Sequence, residues 1–361
     1  MHAFIGTVPF TLIEAINYVI SYEIKDADLY FVTVFDGASE MGERIRKANI
    51  FRNVYMVEDV LLTYPITLKK CLKVVKNGEK LQKDLRGRRY DYIYYNNSGW
   101  LINSIFYNGI YKGNSNVKNI FLEHGYSTYI KHYEKKPWYL RILINLVGLK
   151  CMDGSMLDEV YMFEPELNCV KQNGTIRKMK KIDKNNESLR KAMNYIWSYN
   201  VDADSEYKNK KVIIMEQGSQ KVEFDKEKFW EEILSVLDLE QVIVKAHPRQ
   251  KNSTLSNFGV KISRNHVLPW EIEVLNHDMN NKVLMTIFSG ACLSSKLLFE
   301  EEPTIIFLYK LLPVDYSFLG EELVDFANKV GDLYENKTKY FIPESLEELQ
   351  EYCNRIGIGR K

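Results

Sequence analysis

Short apolar runs, rich in β-branched and aromatic residues, recur along this chain and alternate with segments of helical period. The runs that predict strands lie at 2–8, 28–35, 53–57, 90–95 and 117–122, and then at 211–215, 240–246, 258–263, 283–287 and 303–308. Helical patterns lie at 185–198, 225–237, 269–276, 291–299 and 343–352. This alternation is typical of parallel sheets assembled from βαβ units.

A polar stretch at 200–211 separates the two series of predicted strands. The chain of 361 residues is also longer than one ordinary core and suits two domains of about 150 residues each. We therefore predict the α/β class, with two Rossmann-like domains at 1–205 and 206–361 that face a cleft. The last predicted helix, 343–352, is a candidate to pack back against the rest of the chain. In such sheets ligands bind beyond the carboxyl ends of the strands, so the loops after strands should hold the chemistry.

Charge and composition exclude several classes of function. The 49 basic and 48 acidic residues are mixed along the chain, and a formal charge of +1 argues against binding to nucleic acid as a polymer. The five cysteines include no C-x-x-C pair, which argues against a disulfide framework or a zinc site. The sequence shows no basic leader at its start and no run of 18 apolar residues. These features predict a cytoplasmic protein.

The segment 242–250 ends a predicted strand in histidine, proline and arginine. His247 can donate a hydrogen bond to a phosphate oxygen as a glycosidic bond breaks, and Arg249 can bind the same anion through two hydrogen bonds. Lys245 adds a positive charge, and Pro248 makes the turn rigid. A lone histidine at a strand end more often caps a loop, but the cluster favours binding of a nucleotide phosphate.

A second predicted strand, 283–287, runs into Ser289 and Gly290 and then into a helical pattern. Small residues at such a turn allow backbone N–H groups and hydroxyls to approach an anion at the helix start. Ser294 and Ser295 follow in the same helical pattern and are further candidates for donor binding. A plain N-cap serine is an equally good interpretation of this segment on its own.

Carboxylates also follow predicted strands and could accept a proton from an attacking hydroxyl. In the first half, Glu123 follows a strand and precedes His124 and Gly125. An acidic residue at a strand end is more often a solvated loop residue, which is the alternative here.

The first strand of the second half presents a similar loop. Glu216 ends this strand, Gly218 follows it, and Asp225 stands just before a predicted helix. The alternative role for Asp225 is that of an N-cap or of a partner for the helix dipole.

Together these segments resemble three dispersed signatures of bacterial sialyltransferases, and especially those of glycosyltransferase family 52. The matching segments are Glu123-His124-Gly125, His247-Pro248-Arg249-Gln250, and Ser289-Gly290-Ala291 with Ser294-Ser295. The resemblance covers about residues 115–310, whereas the first 110 residues match only in their opening at 3–20.

This resemblance implies a GT-B type fold and an inverting transfer of sialic acid, without a metal or cofactor. The implied donor is CMP-sialic acid, and the implied acceptor is a galactose-type sugar of lipooligosaccharide or capsule. His247 would stabilise the departing phosphate. Where the family has the second acid of a pair, this chain has His124. We therefore predict Asp225 as the general base, ahead of Glu123, with His124 and Glu216 as further candidates.

Two other interpretations remain open from the sequence. One is a GT-B transferase that uses a UDP-hexose, and the other is a non-catalytic saccharide-binding relative. A metal-dependent transferase would place an Asp-x-Asp motif after a strand. Both such motifs, at 26–28 and 202–204, are predicted to lie at the surface and not at a metal site.

The segment 129–144 predicts a contact with a membrane surface. Basic residues precede an aromatic and aliphatic run, a composition suited to an anionic bilayer that holds a lipid-linked glycan acceptor. The alternative is a core helix with a solvated lysine flank. A peripheral position at the inner face of the cell membrane and a homodimer are further expectations.

Overall fold

The computed structural model describes the chain except for residues 34, 36, 59, 61–66, 97–98, 132–136, 147, 202–204, 218–223, 249, 251, 266, 316–318 and 361. The chain forms two compact units, Met1–Ser198 and Tyr199–Lys361. Tyr199 and Ser205 belong to the second unit because their hydroxyls donate to the Glu273 carboxylate, at 3.2 and 3.1 Å. The boundary therefore lies slightly before the predicted position near 205.

The first unit is built on a parallel sheet of seven strands. The strands are β1 (His2–Gly6), β2 (Ala27–Val32), β3 (Asn53–Val57), β4 (Tyr92–Tyr95), β5 (Lys118–Leu122), β6 (Glu159–Met162) and β7 (Thr175–Lys178). Its helices are α1 (Pro9–Ser21), α2 (Ala38–Ala48), α3 (Leu68–Arg86), α4 (Trp100–Tyr111), α5 (Ser127–Ile130), α6 (Trp138–Leu146) and α7 (Glu187–Ile196). The strands lie in the order β3-β2-β1-β4-β5-β6-β7, as in a Rossmann sheet.

The order of these strands determines on which face each helix lies. Crossovers between parallel strands are right-handed, so a reversal of direction along the sheet moves the helices to the opposite face. The chain moves one way from β1 to β3 and the other way from β3 to β6. Helices α1 and α2 therefore cover one face together with α7, and α3 and α4 cover the other. Helix α6 belongs to the crossover from β5 to β6, so the same rule places it on the face of α3 and α4.

The central strands of this sheet are buried on both faces, and the charged residue Asp28 is buried among them. All six residues of β2 are buried, as expected for a central parallel strand. Asp28 was predicted to lie at the surface ahead of a strand, and this prediction is wrong, since it lies within β2. Its carboxylate accepts two hydrogen bonds from Arg52, at 2.7 and 3.0 Å, and one from Tyr90 at 2.6 Å. Burial opposes ionisation, but these donors keep the pKa of Asp28 below its ordinary value.

The second unit contains a parallel sheet of six strands. The strands are β8 (Val212–Met215), β9 (Val242–Lys245), β10 (Lys261–Ile262), β11 (Val283–Thr286), β12 (Thr304–Phe307) and β13 (Tyr340–Phe341). Its helices are α8 (Lys226–Ser235), α9 (Trp270–Asn276), α10 (Ser294–Phe299), α11 (Glu321–Leu333) and α12 (Leu346–Arg355). The strand order is β10-β9-β8-β11-β12-β13.

The last helix packs within the second unit. Tyr352 of α12 stacks on Phe341 of β13, with ring centroids 4.1 Å apart. Among the described residues, no helix is both long and apolar enough to span a membrane.

Candidate functional site

The carboxyl edge of the second sheet brings together residues that are far apart in the chain. β8 and β11 pair side by side, and the chain leaves them in opposite directions, which is the switch point where α/β sheets bind ligands. Glu216 follows β8, and Ser289 lies in the loop after β11. His247 lies just after β9, which pairs with β8. Four predicted site residues, Glu216, His247, Ser289 and Gly290, therefore lie at this edge.

A buried threonine joins the ends of the two central strands. The Thr286 hydroxyl at the end of β11 donates to the carbonyl oxygen of Met215 at the end of β8, at 2.9 Å. The bond holds the two strands together at the point where their loops diverge. Threonine in an apolar run is ordinary in a strand, so the sequence carried no signal for this role.

His247 lies in a tight turn at this edge. The backbone N–H of Gln250 donates to the His247 carbonyl oxygen at 2.8 Å, which closes the turn, and Pro248 is exposed within it. The His247 side chain is partly exposed, so an anion in this loop could reach it. Arg249, the predicted bidentate partner, lies outside the described residues.

Lys245 differs from the prediction that it places a positive charge beside His247. Its side chain is buried, and Nζ donates to the carbonyl oxygen of Leu268 at 2.8 Å, on the side of the sheet that α9 covers. Burial lowers the pKa of Lys245 to about 8. The side chain points into the unit because it completes a buried polar cluster with α9, and it does not line the loop.

The helical segment after β11 begins at the switch point. A short 3-10 turn, Gly290–Leu293, continues directly into α10, and Ser289 is its N-cap residue with an extended backbone. Ser289 thus occupies the N-cap position, but its side chain makes no capping hydrogen bond to the described residues. Ser289 and Gly290 are partly exposed, and the first N–H groups of a helix attract anions. Binding of a phosphate group at this end of the segment stays a prediction.

Ser294 and Ser295 are buried, so their hydroxyls lie inside the unit, and their role in donor binding stays a prediction. The Ser294 hydroxyl donates to the Glu271 carboxyl at 2.7 Å, and burial raises the pKa of this carboxyl. The Ser295 hydroxyl has no hydrogen-bond partner among the described residues. Both serines lie about one helical turn inside the segment that Gly290 begins. They are therefore part of α10 where it packs against α9.

Glu216 is a better candidate than the sequence indicated. It is 5% exposed, and Oε1 accepts hydrogen bonds from the Thr254 backbone N–H and hydroxyl, at 2.9 and 2.6 Å. Oε2 has no hydrogen-bond partner among the described residues. A small pocket surrounds it, lined by Met215, Glu216, Gln217, Lys226, Trp230, Gln250, Thr254 and Ile287. Gly218 lies outside the described residues.

Asp225 adopts the capping role that was its alternative interpretation. It is the exposed N-cap of α8, and its carboxylate accepts a hydrogen bond from the Lys228 backbone N–H at 3.0 Å. Capping uses one oxygen and leaves the second for other partners. Its role as a general base stays a prediction.

Glu123 connects two strand ends in the first unit. It is fully buried, and Oε2 accepts hydrogen bonds from the Tyr129 hydroxyl at 2.5 Å and from the Phe163 N–H at 2.8 Å. Burial raises the pKa of Glu123 to about 8, so the neutral form predominates at pH 7. This geometry is that of a structural carboxyl and not of a solvated loop residue, and catalysis by Glu123 stays a prediction.

His124 and Gly125 form the turn after β5. The His124 N–H donates to the Thr128 hydroxyl at 2.6 Å, and Gly125 has a φ of +60°, which favours glycine. The His124 ring packs edge-on against Phe10, with centroids 6.4 Å apart. Burial lowers the pKa of His124, so the ring is neutral at pH 7. A neutral ring is the form that a general base requires, and this role also stays a prediction.

The acidic, histidine and cysteine side chains of the described residues form no group of three or more that could hold a metal ion.

Comparison with known proteins identifies the fold. No family model and no curated sequence matches the chain. Among solved structures, a glycotransferase of kitacinnamycin is similar at 9% identity and a TM-score of 0.53, covering 98% of this chain and 90% of that one. LpCGTa in complex with UDP is similar at 8% identity and a TM-score of 0.50, covering 98% and 89%. With the two parallel sheets, these similarities show that the chain has the GT-B fold of two Rossmann-like domains.

Replacement of the buried carboxyl tests its protonation. Because the folded pKa of Glu123 lies near 8 and its ordinary value is 4.5, the folded state holds a proton that the unfolded state releases. This contribution to the free energy of unfolding is complete below about pH 4.5 and is lost as the pH rises through 8. Glu123→Gln cannot titrate, so urea unfolding at pH 5, 7 and 9 should show the variant gaining stability relative to wild type as pH rises. Exposed Glu232→Gln is the control, and parallel pH profiles for all three proteins would contradict the assignment.

The paired serines of α10 offer a second test. Ser294→Ala removes the donor to a buried carboxyl and should lower the free energy of unfolding by about 1–3 kcal/mol. Ser295→Ala removes a buried hydroxyl that has no partner among the described residues, so it should be neutral or slightly stabilising. Urea unfolding without any ligand measures both. Equal losses in the two variants would show that the Ser294 hydrogen bond is not what distinguishes them.

Proposed function

We propose that this chain is a glycosyltransferase that uses a nucleotide-activated sugar. The observation that carries the proposal is the convergence of His247, Glu216 and the helix start at Gly290 at one switch point. A histidine and the first N–H groups of a helix suit a phosphate. A carboxylate oxygen without a partner among the described residues suits the hydroxyl groups of a ribose or a sugar.

These groups have separate roles in the proposed reaction. An acceptor hydroxyl attacks the anomeric carbon, the bond from this carbon to the phosphate oxygen breaks, and a base takes the proton of the hydroxyl. Negative charge then develops on the departing phosphate. His247 donates to it and the helix start at Gly290 stabilises it, because both donors are held in place before the reaction begins.

A UDP-sugar is the better supported donor. LpCGTa, which has the same fold, was solved in complex with UDP. Sialyl transfer rests on the resemblance of three segments, and two of these are engaged in structural contacts. Glu123 is buried against Tyr129, and Ser294 is buried against Glu271. CMP-sialic acid remains the second candidate, supported by the partly exposed His247 beside Pro248.

Nucleotide binding distinguishes the two donors. A ligand that binds only the folded state at 100 times its Kd adds about 2.7 kcal/mol to the free energy of unfolding and raises Tm. We expect UDP to raise Tm more than CMP or GDP at equal concentration. A larger shift with CMP would favour CMP-sialic acid. Absence of any shift, together with absence of transfer from either donor, would support the non-catalytic saccharide-binding alternative and refute the proposal.

A charge change at the helix start locates the binding site in the same experiment. Ala291→Glu places a carboxylate in the first turn, where it favours the helix dipole but repels a phosphate. We expect about tenfold or greater loss of UDP affinity, corresponding to about 1.4 kcal/mol. Ala291→Gln, which has the same shape without the charge, is the matched control.

Asp225→Asn separates capping from proton transfer. Asparagine caps a helix as well as aspartate does, so the free energy of unfolding should stay the same, whereas Asp225→Ala should lose about 1 kcal/mol. If Asp225 is the base, Asp225→Asn lowers kcat by about 100-fold or more. Steady-state kinetics beside urea unfolding measures both effects. Full activity in Asp225→Asn would remove Asp225 from the reaction and leave Glu123, His124 and Glu216 as candidates.

A further inference from the structure

Helix α3 carries lysines along one side. It contains seven basic and two acidic residues. The lysine stripe consists of Lys69, Lys73, Lys76, Lys80 and Lys83. At about 100° per residue these positions fall within an arc of about 80°, and all five side chains are exposed. The buried residues Val74, Leu81 and Leu85 lie on the opposite side, so the stripe points away from the sheet.

Helix α6 exposes large apolar side chains. The apolar stripe consists of Trp138, Tyr139, Ile142 and Leu146, which are 74%, 52%, 48% and 77% exposed. At about 100° per residue they span an arc of about 100°.

The opposite side of α6 is attached to the first unit. Ile144 is buried, and the Arg141 guanidinium lies 3.6 Å from the buried Asp153 carboxylate. The apolar stripe therefore faces outward from an anchored helix. The exposure contradicts the alternative of a core helix, while the basic residues at 132–136 lie outside the described residues.

The two stripes lie on the same face of the first sheet. Helices α3, α4 and α6 cover this face, and the groove between α3 and α4 is also lined by Gly148 and Leu149, just after α6. The side-chain amide of Asn108 in α4 donates to the Lys150 carbonyl oxygen at 2.7 Å and accepts from the Lys150 backbone N–H at 2.9 Å. The end of α6 thus adjoins α4, which packs against α3. We call the lysine stripe and the apolar stripe together the α3–α6 face.

We propose that the α3–α6 face binds a lipid bilayer whose surface carries anionic headgroups. Trp and Tyr are enriched where a protein meets the bilayer interface, and Ile142 and Leu146 can enter its apolar part. Lysines near the surface are attracted by the negative potential of anionic lipids. The face therefore matches a bilayer in both of its chemical components.

Other occupants match only one of these components. A second copy related by a two-fold axis would bring the same surface against itself and oppose like charges. Nucleic acid would pair with the lysines but would leave Ile142 and Leu146 uncovered. The proposal goes beyond the transfer chemistry and concerns where the protein acts.

Sedimentation with vesicles tests the proposal without donor or acceptor, so its outcome is independent of the proposed function. The full chain should bind vesicles of phosphatidylcholine mixed with phosphatidylglycerol, and bind phosphatidylcholine alone much more weakly. Each lysine near an anionic surface contributes about fivefold in affinity. The triple variant Lys76→Gln, Lys80→Gln, Lys83→Gln should therefore bind about 100-fold more weakly.

Three exposed lysines on the opposite side of the unit provide a matched control. Lys25→Gln, Lys47→Gln and Lys191→Gln remove the same charge, and this triple variant should retain binding. Equal losses in the two triple variants, or equal binding to both kinds of vesicle, would overturn the proposal.

The fluorescence of Trp138 tests the apolar stripe. The described side chains of Trp197, Trp230 and Trp270 are buried, so among the described tryptophan side chains Trp138 should give the shift of emission to shorter wavelength on vesicle binding. The shift should disappear in Trp138→Phe, and Ile142→Ser with Leu146→Ser should weaken vesicle binding by about 100-fold or more. If the apolar stripe instead binds a second copy, the protein should form a dimer that the substitutions at Ile142 and Leu146 dissociate. If the face binds nucleic acid, the protein should bind RNA, and the lysine triple variant should lose this binding. Either result without vesicle binding would refute the proposal.

Discussion

Parallel pairing of the described strands within each sheet is the constraint on which the candidate site depends. A parallel neighbour can be reached only by crossing a face of the sheet, so all strands end at the same edge. Residues far apart in sequence, such as Glu216, His247 and Ser289, thereby reach one edge. The Thr286 hydroxyl strengthens this arrangement where β8 and β11 separate, since it bonds to the last residue of the neighbouring strand. A rigid edge presenting donors from several loops is suited to hold a phosphate.

The need to satisfy buried polar groups explains why the side chains of several candidates point into the interior. A hydrogen-bond partner stabilises a charge or hydroxyl inside an α/β unit, because an unpaired polar group costs several kcal/mol. Lys245 bonds to the Leu268 carbonyl, Ser294 to Glu271, and Glu123 to Tyr129. The side chain of a polar residue beside a strand end can therefore face the ligand-binding edge of the sheet or form a hydrogen bond in the interior. Sequence shows the residue type but not the direction of its side chain.

The sequence predicted the long apolar strands and the carboxyl edge as the place of the candidate site. Both follow from the local pattern of apolar runs and of the polar residues after them. It did not predict β6, β7 or β13. Thr175–Lys178 is an edge strand with charged, exposed residues, and Tyr340–Phe341 has only two residues. The pairing of Glu216 with Thr254 was also beyond sequence reasoning, since it depends on how a loop after β9 folds over the end of β8. The hydrogen bonds of Tyr199 and Ser205 to Glu273, which is distant in sequence, place both residues in the second unit, and no local pattern in the sequence indicated these contacts.

A balanced total charge conceals how charge is distributed on a helix. The formal charge of +1 gives no sign of α3, where basic residues outnumber acidic ones and recur at the helical period. Such lysines are well hydrated and cost the fold little, whereas Trp138 and Leu146 expose apolar surface whose burial would be favourable. The two contributions also respond differently to salt, because screening weakens charge attraction and leaves apolar burial almost unchanged. A surface that combines them can approach a charged bilayer from a distance through the lysines and remain there through the apolar side chains.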